Sequence, residues 1–270
     1  MKFSQLIPDT STIGELIRTA RQQRRLSQMD LALDAGISPR HLSFLETGRS
    51  RPSADVLLAL AECLSQPLRM RNKWLLAAGY APRYTEEPLA SPQMSHIHAA
   101  LDKLLQAHDP YPGVVLDSHW NIVKANTAAQ RLLCLLPSSM REPQVNMFRA
   151  SLSSHGFAAI TENFEEWGAY LMQALRKQVQ NSGDSIAAAL LEEVLQYPGV
   201  AALEKEISDT TGKPPALLIP CVLNLGGQHY SFFTTMTSFG TPRDITLAEL
   251  SIELFYPSDG ATAALLNDHR

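Results

Sequence analysis

Residues 26–52 read LSQMDLALDAGISPRHLSFLETGRSRP, and this stretch decides the fold of the N-terminal quarter of the chain. Ser27 can cap a short helix, and Gly36 has the backbone freedom for the sharp turn that follows it. Ser38 then caps a second helix with Pro39 at its first position, where the missing N–H costs nothing. The pattern predicts two short helices joined by a tight turn.

Three more helices are expected around this pair. Before it, apolar residues recur at positions 13, 16, 17 and 20, the spacing of one helix face. After it, Ser53 can cap a fourth helix, and a fifth is expected from about Leu68 to about Ala78. Five short helices in the first 80 residues predict a compact all-α domain.

Charge divides the chain in the same way. Residues 1–85 contain 12 Lys and Arg against 7 Asp and Glu, a net charge of +5. Residues 86–270 contain 11 against 20, a net charge of −9, so the whole chain carries −4. A polyanion is attracted to the first part and repelled by the second.

The second part of the sequence predicts a mixed α+β fold. Two short strands are expected at 113–117 and 120–124, and the stretch 144–207 has mostly helical periodicity. Near the end, the β-rich runs 216–225 and 229–237 flank Gly226-Gly227, a hairpin signal. A last helix near 247–250 precedes a short strand at 252–255. This order indicates a domain with an antiparallel sheet.

These patterns give a multi-domain organisation. We expect a helical domain over residues 1–80, a linker rich in proline over 81–94, and the α+β domain over 95–270. The three cysteines lie far apart with no zinc spacing, and no secretory signal or membrane span is apparent, so a cytoplasmic location is expected. His96 and His98 fall on different faces of a predicted helix, which argues against a metal site.

The helical domain resembles the XRE-type helix-turn-helix of phage repressors, from Leu26-Ser27-Gln28 through Ala35-Gly36-Ile37-Ser38 to Gly48-Arg49 and Pro52. The resemblance covers about residues 13–78 and implies that the third helix lies in the major groove of double-stranded operator DNA. Bases would be read from the face opposite Leu42 and Leu45, and phosphates would be bound at the helix exit and at the start of the second helix. The side chains expected to contact DNA are Gln28, Arg40, Ser43, Phe44, Thr47, Arg49 and Arg51. Glu46 is expected to be an internal partner, because phosphates repel a carboxylate.

The α+β domain resembles the ligand-binding domain of MmyB-like regulators, over about residues 95–265. The resemblance rests on Pro112–Asp117 with Trp120–Asn126, which is similar to the opening of PAS sensor domains, and on the segments Asn146–Gly156, Phe239–Leu250 and Glu253–Asp259. It implies a PAS-like pocket for a fatty acid or another small apolar molecule.

A fatty acid requires an apolar tunnel and a polar anchor for its carboxylate. Arg149 is the anchor favoured by chemistry, followed by His155, with the amides of Asn126 and Asn146 as hydrogen-bond donors. The aromatic side chains expected to line the tunnel are Phe148, Phe164, Trp167, Phe232 and Phe233. For each of these residues a purely structural role is the alternative: a helix cap for Asn126, core packing for Trp167, and an ion pair for Arg149.

Together these features predict a DNA-binding transcription regulator that binds operator DNA as a homodimer and responds to a small apolar ligand. In one alternative, the second domain only dimerises or contacts a protein. In another, an enzyme is fused to a DNA reader, but the sequence lacks a catalytic constellation and a phosphate-binding loop. Neither a catalytic residue nor a cofactor is expected.

Overall fold

A computed structural model describes residues 12–182, 184–207 and 218–267 of the chain. The chain forms two compact units. The first extends to Glu87 and also includes Thr241–Ala248, whereas the second comprises the described parts of Pro88–Gly240 and Glu249–Arg270. In the described residues, no helix is both long enough and apolar enough to cross a membrane.

The first unit contains the five predicted helices. They are α1 (Ile13–Gln23), α2 (Gln28–Asp34), α3 (Pro39–Glu46), α4 (Ala54–Cys63) and α5 (Leu68–Ala77). The predicted caps form, since the side chains of Ser27, Ser38 and Ser53 each accept a hydrogen bond from the backbone three residues on. Gly36 and Gly48 both have positive φ, as the turns after α2 and α3 require.

One apolar core holds these helices together. Its fully buried side chains come from every helix and include Ile17, Leu31, Leu42, Leu60 and Trp74. Burying such side chains is the main stabilising contribution to a domain of this size. The residues predicted to face inward are therefore those that form the core.

Two further segments complete the first unit. The side chain of Asn72 on α5 accepts hydrogen bonds from the backbone N–H groups of Arg83 and Tyr84, which fixes the chain after α5. The buried carboxylate of Asp244 then accepts hydrogen bonds from the Thr85 hydroxyl, at 2.8 Å, and from the Glu87 N–H, at 2.9 Å. The domain boundaries expected from the sequence contain no sign of this second segment.

The second unit is built on one antiparallel sheet, as the sequence predicts. Its strands are β1 (Gly113–Leu116), β2 (Ile122–Ala125), β3 (Cys221–Leu225), β4 (Gln228–Ser238) and β5 (Ser251–Pro257), in the order β2-β1-β5-β4-β3. Gly226 and Gly227, both with positive φ, form the predicted hairpin turn between β3 and β4. Residues 216 and 217, which open the predicted run, lie outside the described residues.

Helices cover the sheet and extend from it. They are α6 (Ser95–His108), α7 (Thr127–Leu133), α8 (Ser138–Arg141), α9 (Met147–Leu152), α10 (Phe164–Ser182), α11 (Ser185–Val194), α12 (Pro198–Ile207), α13 (Ile245–Glu249) and α14 (Gly260–Asn267), of which α13 lies mainly in the first unit. The stretch from Gly260 to Asn267 was not predicted to be helical.

The two faces of the sheet differ. On one face, Leu254 and Tyr256 of β5 approach α6, where the His108 ring lies 4.8 Å from that of Tyr256. On the other face, Glu253 and Phe255 point towards α7, α9 and α10 and line a cavity together with residues of those helices. Successive side chains of a strand point to opposite faces of a sheet, so Leu254 and Tyr256 lie on one face and Glu253 and Phe255 on the other.

Candidate DNA interface and ligand cavity

The third helix presents a polar and aromatic face away from the core. Leu42 and Leu45 are buried on one side of α3, which leaves Arg40 exposed and Ser43 and Phe44 half-buried on the other. The residues expected to read bases therefore share one accessible face of the helix.

Two arginines flank the Phe44 ring on this face. The guanidinium carbon of Arg40 lies 5.4 Å from the ring centroid, and that of Arg49 lies 6.0 Å from it. Such contacts are weakly attractive and limit the freedom of the long arginine side chains. Two exposed cations and an aromatic edge suit contact with base edges and phosphates.

A buried ion pair positions α3 against the two helices before it. The carboxylate of Glu46 accepts hydrogen bonds from Arg21 Nε, at 2.7 Å, and from Gln28 Nε2, at 2.8 Å. Burial alone raises the pKa of Glu46, but the hydrogen bonds from Arg21 and Gln28 outweigh it and hold the pKa below its usual value. The predicted internal role of Glu46 is confirmed. An amide nitrogen has two N–H donors, so Gln28 can bind Glu46 and still offer one to a phosphate.

The structure gives Thr47 and Arg51 roles other than the predicted phosphate contacts. The Thr47 hydroxyl donates its one hydrogen to the carbonyl oxygen of Ser43, at 2.7 Å, and so closes the end of α3. Arg51 Nε donates to the carbonyl oxygen of Ala78, at 3.0 Å, and its guanidinium stacks over Tyr80. Both side chains are nevertheless exposed, and a guanidinium has five N–H donors, more than the bond to Ala78 uses, so contact with a phosphate stays a prediction for both.

The second unit contains a cavity of about 70 Å³ between the sheet and its helices. Its walls are mostly apolar and aromatic, with Trp120, Phe148, Trp167, Phe232 and Phe255 among them. Trp167 and Phe232 thus lie where the sequence placed them, and contact with a ligand stays a prediction for both. A second cavity of about 440 Å³ shares the Phe232 wall and is also lined by Arg131.

The wall of the smaller cavity includes one carboxyl side chain among the described residues, that of Glu253. Glu253, on the central strand β5, is 6% exposed, and its Oε2 atom has no hydrogen-bond partner. Burial raises its pKa to about 7 in spite of a hydrogen bond from the Thr234 side chain. Glu253 was not among the predicted site residues, although a glutamate between Ile252 and Leu254 in an apolar strand is an unusual feature.

Arg149, the expected carboxylate anchor, does not line either cavity. Its Nε and Nη2 atoms donate to the carboxylate of Glu193, at 2.8 and 2.7 Å, and both side chains are more than a third exposed. The hydrogen bond from Arg149 holds the pKa of Glu193 below its usual value. Arg149 therefore makes an ion pair with Glu193, the kind of structural role that was the alternative to ligand binding.

The two asparagines proposed as ligand donors are used by the fold. Asn126 is buried and caps α7; its amide nitrogen donates to the carbonyl oxygens of Leu105 and Tyr111. Asn146 caps α9 and donates to the carbonyl oxygen of His119 and to Asn121 Oδ1. These donors are satisfied inside the protein, so neither is available to a ligand.

The remaining predicted ligand residues divide by position. Phe148 lines the cavity. His155 is exposed and is not part of the cavity wall. Phe164 is not in the wall either and contacts the backbone at Gly199, while Phe233 stacks on Tyr256 with 5.4 Å between the ring centroids. Phe233 has the opposite strand parity to Phe232 and so faces away from the cavity.

The chain matches models of two protein families. Residues 97–268 match the MmyB-like transcription regulator ligand binding domain, and residues 17–69 match a helix-turn-helix model. No curated protein matches the chain. Among solved structures, an RNA-binding light-oxygen-voltage receptor is similar at 13% identity with a TM-score of 0.27; the match covers 95% of this chain, which spans 60% of the length of that receptor.

The two matches agree with the two units of the structure. The helix-turn-helix match falls on the five-helix unit, and the ligand-binding match includes every strand of the sheet and every residue of the cavity wall. The protein combines a DNA-binding domain with a ligand-binding domain. This chain belongs to the family of MmyB-like transcription regulators.

Proposed function

We propose that this protein is a one-component, non-enzymatic transcription regulator that binds specific operator DNA through α3 as a homodimer and changes its DNA affinity when a small apolar molecule fills the cavity. The observation that carries the first part is the exposed face of α3, where Arg40 and Arg49 flank Phe44. Gln28 supports this face from the start of α2. Two-fold related operator halves would match a dimer.

The apolar cavity supports the ligand part of the proposal. Aromatic side chains from the sheet and from α9 and α10 surround a space with few polar groups. Sites of this composition suit apolar molecules oriented by one or two polar contacts. The expected fatty-acid anchor, Arg149, lies elsewhere, so the cavity supports an apolar ligand without specifying a carboxylate.

Chain connectivity supports a route from the cavity to DNA binding. Strands β4 and β5 carry Phe232, Glu253 and Phe255 in the cavity wall. Most of the chain that joins these strands, residues 241–248, is part of the first unit, where Asp244 is bonded to Thr85 and Glu87. A shift of the two strands on ligand binding therefore acts on a segment of the DNA-binding unit.

Two measurements test the proposal. The preferred DNA site is first selected from a random pool, and affinity and stoichiometry are measured by fluorescence anisotropy and light scattering; two chains per site are expected. Purified protein is then extracted under denaturing conditions and analysed by mass spectrometry for a stoichiometric small molecule. If no small molecule is recovered and none alters DNA affinity, the second unit serves only dimerisation or protein contacts.

A further inference from the structure

The Glu253 carboxyl is the feature of the cavity that the proposed function leaves unexplained. A buried polar atom without a hydrogen bond is costly, and such atoms are uncommon in folded proteins. Oε2 of Glu253 is one of three side-chain atoms of this kind among the described residues. It belongs to the one acidic residue among the described residues that line the cavity.

The rest of the wall indicates what that molecule offers. Among the described residues that line the cavity there is no Arg, Lys or His. The Trp120 indole N–H donates to Gln178, and the Thr161 hydroxyl donates to the carbonyl oxygen of Phe157, so these two donors are already used. The Ser151 hydroxyl is the other hydroxyl donor among the described wall residues, so a carboxylate ligand would meet one hydroxyl and no cation here and would place its charge beside Glu253.

From this wall, and resting on the proposed ligand-sensing function, we propose that the cavity binds a small apolar molecule whose head group donates a hydrogen bond to Glu253. Such a head group is an alcohol or an amine. An ionised Glu253 accepts from either group, and the ammonium form of an amine also compensates the buried charge. A carboxylate is disfavoured because two like charges repel in a desolvated site.

The volume of the cavity limits the size of the molecule. A water-sized group needs about 10–15 Å³ of cavity volume. The cavity of about 70 Å³ therefore accommodates about five to seven non-hydrogen atoms. A six-carbon chain with one head-group atom fits this limit. The matched probes, each with about seven non-hydrogen atoms, are therefore hexan-1-ol, hexylamine and pentanoate, with benzene as a probe that lacks a head group.

The ionisation states of Glu253 and of the titratable groups near it determine the pH of the test. The titratable groups that interact with Glu253 are Tyr170 on α10 and Cys221 on β3. Burial raises the pKa of Tyr170 above its usual value and that of Cys221 to about 12, so both remain neutral at pH 8. Glu253, with a pKa of about 7, is mostly ionised at that pH.

The experiment measures the affinity of each probe for the full chain at pH 8 by titration calorimetry. In the wild type, hexan-1-ol and hexylamine are expected to bind at least about tenfold more tightly than pentanoate, the effect of one charge-assisted hydrogen bond. Glu253→Gln should weaken hexylamine by about tenfold and strengthen pentanoate, because an amide is neutral and donates. Glu192→Gln, at an exposed position on α11 outside the cavity wall, should change neither affinity.

Different failures have different meanings. Pentanoate that binds as tightly as the alcohol, or that loses its binding on Arg131→Gln, would overturn the donor proposal and indicate a carboxylate ligand reaching the larger cavity. Unchanged probe affinities in Glu253→Gln would overturn it as well. If none of the probes binds, benzene included, the apolar-ligand part of the proposed function fails together with it. If Glu253→Gln does not fold, the relative affinities of the three head-group probes for the wild type still test the proposal.

Discussion

Arg40 and Arg51 are two basic residues near the recognition helix with different surroundings. Arg40 is exposed and lies beside the Phe44 ring, whereas Arg51 is bonded to Ala78 and stacked on Tyr80. Their charge is the same, but the fold fixes the guanidinium of Arg51, whereas that of Arg40 extends from the exposed face of α3. Sequence position alone could not separate them, because the partner of Arg51 lies 27 residues further along the chain.

We predict that Arg40→Ala weakens binding to the selected DNA site more than binding to random DNA. Loss of a bidentate contact to a base costs about 1–3 kcal/mol and appears only at the specific site. The measurement is fluorescence anisotropy with both DNAs at one salt concentration. An equal loss on both would assign Arg40 to a phosphate instead of a base.

For Arg51→Ala we predict a loss of stability of the first unit. Removing a charged donor from the carbonyl oxygen of Ala78 should cost about 1–2 kcal/mol. Urea unfolding followed by Trp74 fluorescence would detect it, in a variant that carries Phe at positions 120 and 167. A phosphate contact would in addition lower the affinities for the selected site and for random DNA alike, and unchanged affinities for both would remove Arg51 from the DNA interface.

Glu46 gives the first unit a pH dependence. Its pKa is lower in the folded protein than in the unfolded chain, so its stabilising effect is fully present above the unfolded value of about 4.3 and is lost as the pH falls through the folded value. We predict that Glu46→Gln lowers the free energy of unfolding at pH 7 and flattens its decline below about pH 5. Unfolding curves between pH 3 and pH 7 test this, and parallel curves for wild type and variant would contradict it.

At the scale of elements, α1 and α3 of the first unit approach each other closely at Gly14. A Cβ atom at Gly14 would lie 2.6 Å from the carbonyl oxygen of Leu45 and 2.9 Å from that of Glu46. Both obstacles are backbone atoms, so they cannot move without displacing α3. We predict that Gly14→Ala destabilises the unit by about 1–3 kcal/mol, the usual effect of overpacking.

The control for this substitution is Gly260→Ala at the start of α14, where a Cβ atom would meet nothing within 4 Å. This change should leave the unfolding midpoint close to that of the wild type. Equal effects at both positions would mean that helix propensity, and not the approach of α1 to α3, determines the result at Gly14.

The two units differed in how far the sequence predicted their elements. In the first unit, caps and apolar spacing are local signals, and all five helices lie within a residue or two of their expected bounds. In the second unit, β5 was expected as a short strand at 252–255, yet it is the centre of the sheet. Its pairing with β1 joins residues more than 130 positions apart, and no local pattern encodes such a register.

The site residues follow the same division. Arg40 and Phe44 were identified because helix periodicity fixes which face they share. Arg149 and Asn126 were assigned to the ligand because their chemistry suits it, but their partners, Glu193 and the carbonyl oxygen of Leu105, are distant in sequence. Glu253 was missed for the related reason that its importance depends on the cavity around it.

For the whole molecule, the segment 241–248 is the feature that relates the two proposed activities. It joins two strands of the cavity wall and is itself part of the first unit. Ligand binding can change DNA affinity only if it favours one state of a structure that both sites share. The carboxylate of Asp244, which accepts hydrogen bonds from Thr85 and Glu87, secures this segment.

We predict that Asp244→Ala uncouples the sites. The affinity for hexan-1-ol should stay within about twofold of the wild type, because Asp244 is not in the cavity wall, whereas the ratio of DNA affinities with and without saturating hexan-1-ol should move towards one. Asp259→Ala, which removes a comparable cap from α14, is the matched control and should leave the ratio unchanged. Because coupling is reciprocal, the same variant should also remove any effect of operator DNA on hexan-1-ol affinity. If the ratio in Asp244→Ala equals that of the wild type, the coupling does not depend on this segment. The dimer interface would then be the next candidate for it.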